Sequence, residues 1–274
     1  MANYAIKAHE ASENRVCRLL TLSRSVYRYE ATSSNDEEIK AVLKQLTEKH
    51  RRYGFYKCFC KIRQMGYEWN HKRVYRVYCE MGLNLRKKPK KRLPAREKKT
   101  LVQPEEINMT WSLDFMTDAF FTGKRFRTVN VLDDCNREGL GIQASISLPA
   151  KRVTAFLDVI AARRGYPLQL RLDNGPENIS HEMVSWAKKH GVKIAYIQPG
   201  KPSQNAYIER FNRTYREEVL DMHLFKDIDQ VQAITDKWLA EYNHERPHES
   251  LGDLTPMQFI TKRSFLNIST NALY

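Results

Sequence analysis

Long apolar runs are missing from this chain. No stretch approaches the ~18–20 residues needed to cross a bilayer, and the opening MANYAIKAHEASENRV has no apolar segment of the secretion-signal type. Both absences predict a cytoplasmic protein. Cysteine is scarce as well: five in 274 residues, an odd number with no Cys-x-x-Cys pair, which excludes a disulfide framework. Cys58 and Cys60 follow His50 closely, but an i, i+2 pair on a helix points in two directions and makes a poor zinc clamp. Buried free thiols are the expectation. There are no internal repeats.

What is present is a globular balance, 42% hydrophobic and 28% charged residues, enough for one large domain or two modest ones. The net charge of +14 is unevenly placed. Residues 1–100 hold 25 lysines and arginines against 10 acids, whereas the remainder holds 21 against 22. A basic first portion suits a polyanion, and nucleic acid is the leading partner because phosphates are neutralised by dense Lys and Arg. The densest run is Arg86, Lys87, Lys88, Lys90, Lys91 and Arg92, inside a proline-broken stretch without apolar periodicity. It reads as a linker able to lie along a phosphate backbone.

The first portion reads as short helices. Ser12 can cap one carrying Val16, Leu19 and Leu20, and a second runs on to Tyr29. From Glu37 to about His50, Ile39, Val42, Leu43 and Leu46 form one face. After Gly54, Cys58, Ile62 and Met65 repeat at helical spacing to Gly66. Asn70 then caps a helix with Val74, Val77 and Tyr78 that ends at Gly82. Two short helices joined through a Gly-containing turn, with Arg73 among the exposed cations, are compatible with a helix-turn-helix. From residue 109 the period changes. Three strand patterns (MTWSLDFMTDAF, RFRTVNVLDD, REGLGIQASIS) precede helix, strand, helix, strand and helix, an α/β order with a mixed five-stranded sheet.

Three carboxylates stand out from the solvated majority. Asp114 interrupts an apolar strand, where an unpaired charge is expensive. Asp173 ends a short strand before an Asn-Gly-Pro turn, at the strand end where α/β sheets bind ligands. Glu209 borders the apolar stripe Ile208, Phe211, Tyr215 and Val219 on a polar stripe of Asn205, Glu209, Asn212 and Arg216. Acids from a strand centre, a strand end and a helix edge can converge. Their repulsion is relieved by divalent cations, for which carboxylates and water suit Mg²⁺ or Mn²⁺. Structural caps and surface acids are the competing account.

Thirty-five residues separate Asp173 from Glu209. With WSLDF, RLDNGPEN and QNAYIERFNRTYREE around the three acids, the chain resembles the DDE integrase core. More closely it resembles the OrfB-type transposases of the insertion-sequence-three family. RVCRLLTLSRSVYRYE, YGFYKCFCKIRQMGYEWNHKRVYRVYCEMGL, NVLDDCNRE and YNHERPHESLGDLTPMQF carry the likeness in order along nearly the whole chain. The resemblance implies an RNase H-like catalytic domain at 104–265, a helical DNA-binding region at 1–83, a basic linker at 84–103 and a tail at 266–274. It implies two ions held by Asp114, Asp173 and Glu209, 3′-end cleavage by water, and attack of a 3′-hydroxyl on another phosphodiester. Arg216 matches the family's basic residue on the last helix and is expected at DNA. Lys201 and Asn205, in the loop before that helix, are expected to grip DNA near the cleaved bond. Homo-oligomers on DNA and an upstream-frame helix-turn-helix protein, separate or fused, are implied partners. Asn178, where the family usually has an aromatic, and Leu172, where a small or polar residue is common, are departures.

Asp133 and Asp134 fall in a hairpin turn that favours Asp for backbone reasons. His244 and His248 read as surface histidines, and Trp186 and Trp238 as core. Two other functions share these features: an RNase H-like nuclease that only hydrolyses, and a non-catalytic DNA-binding regulator.

Overall fold

A computed structural model describes residues 2–29, 36–85, 101, 103–173, 175, 179–198 and 202–271, excepting the side chains of residues 9, 202, 203 and 264–271. The chain divides into two compact units, Met1–Val42 and Leu43–Tyr274.

In the first unit, α1 (Ala2–His9) precedes α2 (Glu13–Leu19) and α3 (Arg24–Tyr27). The Ser12 and Ser23 hydroxyls accept the Arg15 and Val26 amides, so each of the latter two helices begins at a side-chain cap. Only Val16 and Cys17 of α2 are buried. Leu19 and Leu20 are 75% and 40% exposed, contrary to the sequence expectation, because seven residues give barely two inward positions.

Helix α4 (Glu37–Lys49) crosses the division and buries Ile39, Val42, Leu43 and Leu46. In the second unit follow α5 (Phe55–Gln64) and α6 (His71–Glu80), the latter capped by Asn70 accepting from the Lys72 amide. Their turn passes through Gly66 at φ +90°, a left-handed backbone that favours glycine. Cys58, Ile62, Val74, Val77 and Tyr78 are buried, and Met65, beyond the end of α5, is exposed. All five cysteines are free thiols.

The sheet consists of β1 (Thr110–Ala119), β2 (Arg125–Asp133), β3 (Gly139–Ser145), β4 (Gln169–Leu172) and β5 (Lys193–Tyr196) in the order β3-β2-β1-β4-β5. The first three form an antiparallel meander, and β4 and β5 join parallel to β1 through α7 (Ala150–Arg164) and α8 (His181–His190). Strand period 2 divides the side chains between two cores. Trp111, Leu113, Val129, Leu170 and Leu172 face α7 and α8. Phe126, Leu132 and Ile142 face α9 (Ala206–Glu218) and α10 (Ile228–Glu245). Trp186 is buried in the first core, and Trp238 packs on the second, as expected.

The sequence pattern did not announce α10 or α11 (Pro256–Asn271). Helix α10 covers the edge strand with two side-chain amides. Gln232 accepts from Ala144 N and donates to the Ile142 carbonyl, and Asn243 does both with Gly139, all at 2.9 Å. Backbone groups at an unpaired edge are thereby satisfied. A Cβ at Gly139 would lie 2.5 Å from Leu239 and 2.9 Å from Phe211, so only glycine lets the two helices approach this close.

Candidate active site

Strand geometry brings the first two acids together. Parallel pairing sets Thr110 beside Gln169 and Ser112 beside Arg171. The pairing ends there, and Asp114 and Asp173 each lie two residues beyond it, Asp173 as the first residue past β4. Even-numbered β1 side chains face α9, and on β4 Arg171, between Leu170 and Leu172 of the first core, is on that side too. Glu209 lies in the first turn of α9, three residues before Asn212, so the two share a helix face. Asn212 donates to Asp114 Oδ2 at 2.8 Å, which brings that face to the carboxylate.

Electrostatics reports the same convergence. Burial pushes the Asp114 carboxyl up to about 6, and the neighbouring charges of Asp173 and Glu209 push in the same direction. Hydrogen bonds from the Phe115 amide (2.9 Å) and Asn212 oppose this without cancelling it. Asp173 Oδ1 accepts the Gly175 amide at 3.1 Å, which folds the turn after β4. Among the described residues no three acidic, histidine or cysteine side chains are drawn tightly enough to form a ready cation cage. The three acids are electrostatic neighbours rather than a closed site.

Asparagines orient the first acid. Asn130, fully buried opposite Asp114 on β2, donates to Asn212 Oδ1 at 2.6 Å, which leaves the Asn212 amide nitrogen to donate to Asp114. Sequence reading put Asn212 on a polar stripe and passed over Asn130. The signal was present: a polar residue between Val129 and Val131 in an apolar strand, the same anomaly that singled out Asp114.

A stability consequence follows from the raised Asp114 pKa. The folded state holds this proton more tightly than the unfolded chain, so ionised Asp114 costs stability at neutral pH. That cost disappears as pH falls through about 6 toward the ordinary carboxylate value. In EDTA at pH 7.5, Asp114→Asn is expected to raise stability by on the order of 2 kcal/mol, roughly 3–6 °C in Tm, with the difference gone near pH 4. Calorimetry across pH checks it, and an equal or lower Tm at pH 7.5 contradicts it.

Other expected residues have different placements. Arg216, expected at DNA, is paired with Asp118 (3.3 Å) and Asp221 (3.9 Å) and donates to the Thr117 carbonyl. Asn205 is 5% exposed at the α9 cap, its Oδ1 without a hydrogen bond among the described residues. Residues 202–205 form a single 3₁₀ turn. Arg73 is half-buried on α6. Lys201, Asn178 and the run Arg86, Lys87, Lys88, Lys90, Lys91 and Arg92 lie outside the described residues. Leu172 fills the first core.

Asp133 and Asp134 have turn roles but are fully buried. Asp133 accepts the Asn108 and Cys135 amides, and Asp134 holds Ser112 and Arg171. His244 is exposed, whereas His248 corrects the surface expectation: its Nε2 is enclosed. Burial, with the charges of Arg246, Lys57, Arg137 and Arg210, pushes its imidazole down to about 3.

With this geometry in hand, similarity to known proteins becomes informative. Over 252 residues the chain is 39% identical to the insertion element IS407 uncharacterized 31.7 kDa protein of Burkholderia multivorans, covering 92% of this chain and 91% of that one. Over 215 residues it is 26% identical to the transposase InsD for insertion element IS2D of Escherichia coli K12, covering 74% and 69%. The chain belongs to the insertion-sequence-three family of OrfB-type transposases. The transposase matches the Integrase core domain family over residues 104–202 and 190–256, and the HTH-like domain family over 33–92. Its fold is RNase H-like. A simian T-cell lymphotropic virus intasome, solved in complex with a PP2A regulatory subunit, shares that fold at TM-score 0.51 and 15% identity, over 80% of this chain and 73% of that one. The transposase is thus a polynucleotidyl transferase by kind. None of its described helices is long and apolar enough to cross a membrane.

Proposed function

We propose that the transposase cuts the 3′ ends of an insertion element and joins them to target DNA, with Asp114, Asp173 and Glu209 together holding two divalent cations, Mg²⁺ or Mn²⁺. One observation carries this reading: a carboxylate, Asp114, is buried in the sheet, and to the burial that raises its pKa the charges of Asp173 and Glu209 add in the same direction. Such crowding is costly for a fold with no cation to relieve it. The donor set is all oxygen, which suits hard divalent ions. When bound, a pair of such ions activates an attacking oxygen and offsets charge on the leaving one.

The chain's own groups do the rest. Asn130 and Asn212 fix the Asp114 carboxylate through Oδ2, and its Oδ1 accepts the Phe115 amide. Asp173 follows a strand anchored through Arg171 to buried Asp134. Glu209 rides on a helix whose apolar side is locked by Ile208, Phe211 and Tyr215. Asp114 and Glu209 therefore stand on regular elements and Asp173 at the end of one, the positional control that catalysis requires. DNA, the element ends and the target, bound by homo-oligomers of the chain, is the partner we assign. The basic first hundred residues supply much of that affinity.

The test is a joining assay with pre-cleaved element ends bearing 3′-hydroxyls. With Mg²⁺, joined product is expected, and EDTA should eliminate it. Release of fragments with no joined product would favour a hydrolytic nuclease instead.

A further inference from the structure

A second polar site lies on another side of α9, within the Leu43–Tyr274 unit. It is a cavity of about 380 Å³ between α5, the first turns of α9 and the residues after α10. Lys57, Arg137 and Arg210 line it, none with a carboxylate at ion-pair distance among the described residues. Arg137 is 8% exposed and lies over the Tyr207 ring, 3.6 Å from its centroid. Lys57 is half-buried over Tyr53. A fourth cation, Arg246, is neutralised by Glu218 at 2.6 Å.

Two acids, Asp253 and Glu249, stand in the wall against these three cations and leave an excess of positive charge. Asp253 Oδ2 accepts the Tyr56 hydroxyl at 2.6 Å, its Oδ1 is enclosed without a hydrogen bond among the described residues, and Glu249 is exposed. His248 adds an enclosed Nε2 that has no hydrogen-bond partner among the described residues. Burial and Arg246 press Lys57 down to about 8, and burial, with the charges of Arg246, Lys57, Arg137 and Arg210, pushes the His248 imidazole down to about 3. Arg137 is buried and Lys57 half-buried, and cations so placed without counter-charges destabilise a fold unless an anion joins them.

We propose that this cavity binds a phosphodiester of the DNA backbone. The proposal rests on the DNA reading above only for the identity of the anion. Arginine forks and a lysine point charge are the groups that recognise phosphate oxygens. Arg210 directly follows Glu209, so a phosphate held here sits one helix face away from the candidate catalytic acids. Lys57 belongs to the HTH-like segment and Arg210 to the integrase core. Backbone contact therefore engages both segments, fixing the register of the DNA without reading its sequence.

The experiment uses the full chain in EDTA, where no cutting occurs, so its outcome is independent of the three acids. Duplex DNA affinity is measured against salt for the wild type, Arg210→Gln, Lys57→Gln/Arg210→Gln and Ser250→Trp. Arg210 and Ser250 are exposed, so their single variants are not expected to disturb folding. The tryptophan fills the cavity without changing charge. For one lost phosphate contact the slope of log K against log salt becomes shallower by about 0.9, and affinity at 0.1 M salt drops about tenfold. That result is expected for the double variant and for Ser250→Trp. An unchanged slope in both overturns the proposal. A drop in Arg210→Gln with none in Ser250→Trp also overturns it, by moving the contact outside the cavity. Inorganic phosphate supplies the second arm: if it raises the wild-type Tm more than the double variant's while DNA slopes stay equal, the cavity takes the free ion and not DNA.

Discussion

Glu209→Gln is expected to lower both cleavage and joining by roughly a thousandfold or more, while DNA affinity in EDTA stays within about threefold of wild type. The change is isosteric and removes one negative charge. Several kcal/mol of transition-state stabilisation go with that charge, and ~1.4 kcal/mol is a factor of ten. Glu209 is exposed and, among the described residues, its side chain makes no hydrogen bond or ion pair, so the substitution breaks nothing structural. The variant should fold and melt like the wild type. Single-turnover assays with Mg²⁺, run beside a filter-binding titration in EDTA, separate chemistry from binding. Wild-type rates in the variant would remove Glu209 from the site, and with it the reading that three acids share cations.

The second large effect is on stability. Asp134→Ala is expected to cost about 3–5 kcal/mol, a fall in Tm on the order of 10 °C. Asp134 is wholly buried, and its partner Arg171 is only 13% exposed, so truncation strands a guanidinium in a poorly solvated place. The Ser112 hydroxyl loses its acceptor as well. Because Arg171 lies two residues before Asp173, the damage should reach the candidate site and weaken joining even at permissive temperature. Replacing both partners with apolar residues, Asp134→Leu with Arg171→Met, is expected to recover most of the stability. Chemical denaturation of the single and double variants decides: a loss below about 1 kcal/mol in the single variant would mean the pair is not buried in solution.

Much of the fold was legible because its signals are local. Ser12, Asn70 and the glycines closing helices gave boundaries, and the change of period at residue 109 gave the start of the sheet. Apolar faces were read correctly where a helix was long enough to average out single positions, as in α4. They were misread at Leu19, Leu20 and Met65, which sit at or beyond helix ends. Asp114 could be picked out because a charge in an apolar strand is anomalous in one dimension. Asn130 carried the same anomaly, but its meaning depends on Asn212, 82 residues away. His248 read as a surface residue because nothing in Arg-Pro-His announces what encloses it. Lys57, Arg137 and Arg210 looked like ordinary solvated cations for the same reason.

By itself the sequence determined the elements, the family likeness and which three acids deserved suspicion, since all of these depend on residue type and spacing along the chain. The tertiary structure alone decided proximity: that Asp114 is buried within the electrostatic reach of Asp173 and Glu209, that Asn212 of α9 comes up against it, and that three cations from distant segments share a cavity. Burial and distance between remote residues are properties of packing. They determine the electrostatic cost of each charge, and no pattern along the chain records them.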